Sequence, residues 1–488
     1  MAPPNGTSQS QHSQSTVPLI IDGKDQATER ELDVTNPQTK KKVHTSSAAS
    51  ARDALQAVSS SARAFSTWRH SRPAQRRDIL LRAADTLESN TSMYAEIMSD
   101  ETGASSMFTG FVTTTAASIV RDIACRISSV VNGTAPVCAE PGRQSIIYKE
   151  PMGVILAIAP WNAPYILGFR AVASAIAAGN SVVLKGSELS PKCFWAIGDV
   201  LRQAGLPDGV CNVIISPREE ANAVTSALIE AKEVKKVAFT GSTAIGRVIA
   251  EIAGKNLKPC LLELGGKAPT IVCEDADLEL AAQQCVLGAL LHSGQICMST
   301  ERVIVHQNIR REFQKLVESE VSKMAEHNEG SFSMISEAAV QKSKQLVEDA
   351  TSKGAKIFTT GTESDEASTM QPFIVADPTR DMDIYYTESF GPIFTMLSFE
   401  DDDEAVKLAN DTEYGLNAAV FTSDLSRGLK LARGIEAGSV HINSMTVHDE
   451  PNLVHGGMKA SGWGRYNGDD GINEFLDSKT VTWMDGEG

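Results

Sequence analysis

The fold is decided by residues 153–205, which read GVILAIAPWNAPYILGFRAVASAIAAGNSVVLKGSELSPKCFWAIGDVLRQAG. Short apolar runs at 154–159 and 181–185 alternate with longer helical patterns at 166–178 and 191–204. Strands that alternate with helices are typical of βαβ units. The stretch therefore predicts a parallel sheet that is covered by helices on both faces.

The pattern extends in both directions along the chain. It continues to residue 263. Four helical stretches, at residues 50–67, 74–90, 93–102 and about 112–131, precede it and would pack on the same sheet. A second α/β series runs from Thr270 to Ile442 and predicts a separate open sheet. Residues 144–148 and 480–483 are isolated strand-like segments whose alternation predicts a small antiparallel element. Exposed strand edges of this kind can pair with another subunit, so we expect oligomerisation.

Composition excludes several classes of protein. At 488 residues the chain exceeds what one hydrophobic core supports, and no apolar run approaches the roughly 20 residues needed to span a bilayer. A net charge of −16 opposes binding to nucleic acid. Residues 1–17 are predicted to form a disordered tail without a targeting signal, so the expected compartment is the cytoplasm.

Cysteines and histidines are scattered. The eight cysteines include no Cys-x-x-Cys pair, which predicts free thiols in a reducing compartment. The nine histidines form no zinc-binding pattern. We expect no metal site.

One cysteine has informative neighbours. Cys297 lies in a loop that reads SGQICM, a short distance after Glu263 in the segment LELGGK. A thiol is a nucleophile once it is deprotonated, and a carboxylate can activate water. The alternative is that Cys297 is a small buried apolar residue, which is the usual environment of a cysteine.

Three strand ends carry polar residues that could bind a ligand at one edge of the first sheet. Asn162 follows the first strand, although its side chain could equally satisfy its own turn. Phe239–Gly246 combines a strand, a glycine turn and a helix start, which can bind phosphate. Lys185 and Glu188 end another strand. An acid there can accept from the ribose hydroxyls of NAD and would repel the 2′-phosphate of NADP, whereas the alternative is a solvated surface pair.

Together with the segment ESFGPI at residues 388–393, these motifs closely resemble the aldehyde dehydrogenase superfamily over nearly the whole chain. The resemblance implies that Cys297 is the nucleophile, Glu263 the general base and Asn162 an amide of the oxyanion hole. It also implies a dimer or a tetramer. The cofactor contacts that it implies are Trp161, Lys185, Glu188, Gly241, Ser242, Gly246, Glu388 and Phe390.

The same resemblance implies the domain boundaries. The NAD-binding domain would comprise residues 18–132 and 152–264, and the catalytic domain residues 265–470. Residues 133–151 and 471–488 would form the oligomerisation element.

The expected substrate is an aromatic, hydroxylated aldehyde. Three segments are similar to the salicylaldehyde and vanillin dehydrogenase branch of the superfamily, namely residues 163–170, MTVHDEP at residues 445–451 and GGMKASGWGR at residues 456–465. Phe108 matches an aromatic position of that branch and could stack on a substrate ring. Arg170 could favour a hydroxyl or carboxylate on the substrate, or it could pair with a neighbouring acid. His455 replaces a phenylalanine and could alter the shape or polarity of the tunnel.

Several alternatives remain open at this point. The substrate could be an aliphatic or other pathway-specific aldehyde. A CoA-acylating dehydrogenase would have no need for Glu263, and a cysteine hydrolase would be expected to use a histidine base instead. A noncatalytic binding protein on the same scaffold would tolerate the loss of Cys297 or Glu263.

Overall fold

The computed structural model describes residues 16–328, 332–361 and 366–484. Its strands are, in chain order, β1 (Thr16–Val17), β2 (Leu19–Ile21), β3 (Lys24–Gln26), β4 (Glu31–Thr35), β5 (Lys42–Ser47), β6 (Arg143–Pro151), β7 (Val154–Ile158), β8 (Ser181–Gly186), β9 (Cys211–Ile215), β10 (Val234–Thr240), β11 (Cys260–Glu263), β12 (Ala268–Val272), β13 (Thr300–His306), β14 (Phe332–Ser333), β15 (Lys356–Thr359), β16 (Thr369–Met370), β17 (Phe373–Ala376), β18 (Ile393–Phe399), β19 (Asn417–Phe421), β20 (Ser439–Ile442), β21 (Gly462–Trp463) and β22 (Leu476–Met484).

The α-helices pack around these strands. They are α1 (Ala51–Trp68), α2 (Pro73–Ser89), α3 (Thr91–Thr102), α4 (Ser106–Val130), α5 (Pro164–Ala178), α6 (Pro191–Gln203), α7 (Ala221–Glu230), α8 (Thr243–Lys255), α9 (Leu278–Leu290), α10 (Arg310–His327), α11 (Glu337–Ser352), α12 (Asp383–Tyr386), α13 (Asp402–Asn410), α14 (Leu425–Gly434) and α15 (Gly468–Asn473).

The first sheet is built on parallel strands in the order β11-β10-β7-β8-β9. Antiparallel strands extend it, with β21 beside β11 and with β2 and β3 beyond β9. Every residue of β8 is buried, as expected for a parallel strand that is covered on both faces. The α/β fold predicted from residues 153–205 is confirmed.

The carboxyl ends of these parallel strands gather polar side chains at one edge of the sheet. Asn162 follows β7, and Lys185 is near the end of β8. Thr240 and Glu263 are the last residues of β10 and β11 and are register partners. Ligands of open α/β sheets bind at this edge.

The second sheet has the order β15-β17-β18-β13-β12-β19-β20, and only the β15–β17 pair is antiparallel. The loop that carries Cys297 joins α9 to β13 in this sheet. Glu263 and Cys297 therefore come from different sheets, and their contact depends on how the two sheets pack together.

The predicted antiparallel element is the two-stranded ribbon of β6 and β22. Its register runs from Arg143 opposite Met484 to Pro151 opposite Leu476. Its proposed role in oligomerisation stays a prediction, and residues 485–488 lie outside the described residues. The ribbon completes the predicted fold class, whereas the exact domain boundaries remain predictions.

Two local features differ from the sequence prediction. Residues 1–15 of the predicted tail lie outside the described residues, but Thr16 and Val17 form β1, which pairs in parallel with β5. The fourth helix was predicted from Val112 and begins at Ser106, because Ser105 caps it by accepting a hydrogen bond from the Phe108 backbone N–H. Phe108 consequently lies in the first turn of a helix.

Candidate active site

The Cys297 loop is held in a tight reversal. Helix α9 ends at Leu290, and His292, Ser293 and Gly294 then adopt positive φ angles of 49°, 58° and 73°. A Cβ on Gly294 would collide with the Gly391 carbonyl oxygen, so only glycine fits at this position. The reversal brings the following residues back toward the first sheet.

Gln295 fixes the same loop from within. Its Nε2 donates to the carbonyl oxygens of His292 and Ser333, and its Oε1 accepts from the Ile335 backbone N–H at 2.9 Å. Gln295 is almost fully buried, so these bonds are shielded from water. The cysteine two positions later is presented on a rigid support.

Cys297 and Glu263 are in direct contact. The Cys297 thiol donates to Glu263 Oε1 at 3.2 Å, and the Thr240 hydroxyl donates to Glu263 Oε2 at 3.1 Å. Burial and the nearby Glu263 charge raise the pKa of the Cys297 thiol well above its ordinary value. Cys297 is therefore a thiol that is hydrogen-bonded to a carboxylate.

Glu263 is 1% exposed, yet its surroundings favour the ionised carboxylate. Burial acts to raise the pKa of Glu263, whereas the neighbouring His455 is the largest influence that lowers it. The charge of Arg170 and the hydrogen bond from Cys297 add to that lowering, so the Glu263 pKa ends below its ordinary value. The site therefore holds a carboxylate that can accept a proton.

Asn162 faces the same loop. It is 4% exposed, and its Nδ2 donates to the Gln295 carbonyl oxygen at 3.0 Å. The amide thus contacts the cysteine loop, and its predicted role as a donor to a ligand stays a prediction. An amide has two N–H donors, so one remains for a second acceptor.

A cavity of about 380 Å³ lies on one side of the Cys297–Glu263 pair. Its lining includes five of the eight predicted cofactor residues, namely Trp161, Gly241, Ser242, Glu388 and Phe390. Ser242 caps α8, so the positive end of that helix points toward the cavity. A Cβ on Gly241 would lie 2.5 Å from the ring of Phe239, so the turn beside the helix start has no room for a side chain.

The Glu388–Phe390 segment is anchored by buried polar contacts. Glu388 Oε1 accepts from the Gly266 backbone N–H at 2.9 Å, and burial raises the pKa of Glu388 to about 7. Glu301 accepts from both the backbone N–H and the hydroxyl of Ser389. Phe390 takes a positive φ of 49° and meets Trp161 edge to face. The segment is thus held rigidly at the cavity wall.

The other three predicted cofactor residues do not line this cavity. Lys185 is buried near the end of β8, and burial lowers the pKa of its ammonium group, although the charge of Glu188 acts in the opposite direction. Glu188 is partly buried. A Cβ on Gly246 would lie 2.5 Å from Leu264, so this glycine allows α8 to pack closely. Its predicted contact with the cofactor stays a prediction.

A second, narrow cavity of about 50 Å³ lies on the other side of the same pair. Asn162, Glu263 and Cys297 line both cavities, so the thiol stands where they meet. The second cavity is mostly apolar, and the structure brings all three predicted substrate residues into its wall. The rest of its lining includes Phe111, Val112, Ile166, Ile296, Met298, Val447 and Asp449, and the predicted residues are Phe108, Arg170 and His455.

Arg170 is an ion-pair residue. It lies on α5, whose residues are all buried, and its Nη2 contacts Asp449 Oδ2. Asn467 Nδ2 donates to the other Asp449 oxygen at 3.0 Å. The charge of Arg170 also contributes to lowering the pKa of Asp449, although burial acts against it. The predicted alternative of a pair with a neighbouring acid is therefore observed, and Arg170 still contributes to the cavity wall.

Sequence reasoning missed His292 and Asp449. The His292 ring stacks on Phe108 with centroids 4.5 Å apart and meets Trp161 edge to face. Burial lowers the pKa of His292 to about 3, so its ring is neutral. The only sequence signal for His292 is its position five residues before the cysteine, and Asp449 lies within the segment noted for its similarity to relatives.

Comparisons with known proteins agree with this arrangement. The model of the family described as "Aldehyde dehydrogenase family" matches residues 24–481. The chain belongs to the aldehyde dehydrogenase family. This aldehyde dehydrogenase is 42% identical to the vanillin dehydrogenase of Pseudomonas sp. strain HR199 over 476 residues, which cover 96% of this chain and 98% of the relative.

Solved structures give the same result. The crystal structure of a salicylaldehyde dehydrogenase from Pseudomonas putida G7, complexed with salicylaldehyde, superposes with a TM-score of 0.92 at 35% identity and covers 97% of this chain and 99% of that chain. An NAD-dependent aldehyde dehydrogenase from Sinorhizobium meliloti superposes with a TM-score of 0.93 at 32% identity, over 99% and 98% of the two chains.

Among residues 16–328, 332–361 and 366–484, no helix has the length and apolar character needed to cross a membrane. In the same part of the chain, histidine, cysteine and acidic side chains form no cluster that could hold a metal ion.

Proposed function

We propose that this aldehyde dehydrogenase oxidises an aromatic, preferably hydroxylated aldehyde to its carboxylic acid with NAD as the hydride acceptor. The observation that carries the proposal is the Cys297–Glu263 contact at the junction of two cavities, one broad and one narrow. The narrow cavity has Phe108 and Phe111 in its wall, which suit a flat ring. The names of the vanillin and salicylaldehyde relatives support the same substrate class.

The first step uses the existing hydrogen bond. Glu263 takes the thiol proton as the Cys297 sulfur bonds to the aldehyde carbon, and the carbonyl electron pair moves onto oxygen. An Asn162 N–H would donate to the resulting alkoxide. Bound NAD would supply the hydride acceptor. Collapse of the alkoxide would then re-form the C=O bond, break the aldehyde C–H bond and leave a thioester on Cys297.

The second step releases the product. Glu263 gives its first proton to solvent and then accepts a proton from a water molecule that attacks the thioester carbon. The carbon–sulfur bond breaks, the acid leaves, and Glu263 passes this proton to the sulfur, which restores both the thiol and the carboxylate. Aldehyde, NAD⁺ and water thus yield acid, NADH and one proton, which balances the reaction.

The chain's residues fit an extended dinucleotide. The N-terminus of α8, capped by Ser242, would hold the pyrophosphate. Lys185 and Glu188 would bind the adenosine ribose, and Glu388 the nicotinamide ribose beside Phe390. A negative charge on Glu188 would repel the 2′-phosphate of NADP, so we propose a preference for NAD.

Absorbance of NADH tests the proposal directly. Purified enzyme is assayed with NAD and with benzaldehyde, salicylaldehyde, vanillin and hexanal. We expect turnover of the aromatic aldehydes that is abolished in Cys297→Ala and kept in Cys125→Ala, a matched control at an exposed free cysteine. A Glu188→Gln variant should narrow the preference for NAD over NADP. If hexanal is the best substrate, the aromatic assignment is wrong, and if no aldehyde is oxidised by folded enzyme, the reaction is wrong.

A further inference from the structure

His455 touches the proposed general base and has no role in the steps above. Its Nε2 lies 3.4 Å from Glu263 Oε1, and the two side chains are 5% and 1% exposed. The same imidazole lines the narrow cavity. A polar ring in this mostly apolar wall needs a partner, and the carboxylate provides one.

The backbone around His455 is fixed. The His455 N–H donates to the Tyr466 carbonyl oxygen at 2.9 Å, and the Tyr466 N–H donates back to the His455 oxygen at 2.7 Å. Tyr466 is itself fully buried. These two hydrogen bonds fix the backbone of His455 and therefore determine where its imidazole Nε2 lies.

The two carboxylate oxygens of Glu263 are contacted by different side chains. Thr240 donates to Oε2, whereas Oε1 is contacted by the Cys297 thiol and by His455. Once the sulfur is bonded to the substrate carbon, it carries no proton and cannot donate to Oε1. The imidazole is then the side chain that still holds this oxygen in place.

We propose that His455 is a positioning residue that keeps the Glu263 carboxylate aimed at the thioester while water attacks it. The inference rests on the function proposed above. Hydrolysis of the thioester therefore depends on His455 more than formation of the thioester does. In the first step the thiol itself still aligns the carboxylate.

The charged surroundings of Glu263 come from several elements. Cys297 faces it from the loop before β13, Arg170 from α5, and Tyr466 and His455 from the segment before α15. Arg170 is already paired with Asp449. His455 is the neighbour that lowers the Glu263 pKa most, so its loss should raise that pKa and move the acidic limb of the pH–rate profile to higher pH.

Rapid mixing of the full-length enzyme with NAD and benzaldehyde tests the proposal. His455→Phe keeps an aromatic ring but removes the nitrogen. We expect its steady-state kcat to fall about tenfold. This is less than the 10²- to 10⁴-fold contribution of a general base, because Glu263 itself is still present. The first turnover should stay close to the wild-type rate, so a burst of about one NADH per active site should appear or grow. The acidic limb of kcat should move to higher pH.

A matched pair of variants separates this role from folding. The amide of His455→Gln reaches about as far as Nε2 and should restore kcat and the pH profile, whereas the shorter His455→Asn should not. An unchanged kcat and pH profile in both His455→Phe and His455→Asn would overturn the inference, and so would an equal fall of the first turnover without a burst. If the wild-type enzyme forms no NADH, the proposed function has failed instead.

Discussion

Asn162 gives the sharpest test of the proposed oxyanion hole. Its Nδ2 donates to Gln295 O at 3.0 Å, and the side chain is 4% exposed beside Cys297. Substitution by alanine removes the remaining N–H that would meet the alkoxide. Loss of one such donor typically costs 100- to 1,000-fold in kcat, about 2.7–4 kcal/mol of transition-state stabilisation. We expect Asn162→Ala to fall in this range.

The isosteric variant Asn162→Asp adds a second comparison. Its carboxylate would place an acceptor beside both the alkoxide and the Gln295 carbonyl oxygen, so we expect a larger loss than in Asn162→Ala. The assay is kcat and KM for NADH formation with benzaldehyde, together with a urea melt that confirms folding. A kcat of Asn162→Ala within threefold of wild type in a folded enzyme would refute the assignment.

Three other predictions follow from buried groups. Replacing Arg170 by Met leaves Asp449 as an uncompensated buried charge, so the free energy of unfolding in urea should fall by about 3–5 kcal/mol, and the double variant with Asp449→Asn should recover part of the loss. Glu388 has its pKa raised from 4.5 to about 7, so the folded state binds its proton more tightly and this group's contribution to stability is lost as the pH rises from 4.5 to 7. Glu388→Gln should therefore be more stable than wild type by about 3 kcal/mol at pH 8 and equal to it near pH 4. Urea melts at both pH values measure the difference in free energy of unfolding, and a difference that does not depend on pH would contradict the prediction. Phe108→Leu removes the ring that stacks on His292, so kcat/KM for benzaldehyde relative to hexanal should fall about two- to tenfold, and an unchanged ratio would exclude an aromatic contact.

Sequence patterns predict those parts of the fold that a single short segment determines. The alternation of residues 153–205 predicts the parallel sheet because each strand and helix is encoded locally by its own apolar spacing. The strand ends that carry Asn162 and Glu263 follow from the same pattern, since parallel strands bring their carboxyl ends to one edge. Their geometry at that edge agrees with these expectations, while their chemical roles remain proposals.

Contacts between distant segments are not visible in this way. Arg170 and Asp449 are 279 positions apart, and nothing in either segment identifies the other as its partner. The same holds for the stacking of His292 on Phe108, because the positive φ of His292 depends on the tertiary setting of its loop. Gly246 also packs against Leu264 with no room for a Cβ, a contact that its own motif does not reveal, while its cofactor role stays a prediction.

The candidate site is divided between the two sheets, so its geometry depends on close contacts between them. Glu263 ends a strand of the first sheet, and Cys297 precedes a strand of the second, so their 3.2 Å contact is set by packing alone. Gly266 lies against the Cys297 carbonyl oxygen with no room for a Cβ, and a Cβ on Gly265 would lie 2.6 Å from Glu388. These two glycines let the chain pass closely from β11 of the first sheet to β12 of the second. The motif that contains them therefore carries Glu263 and also brings it close to Cys297.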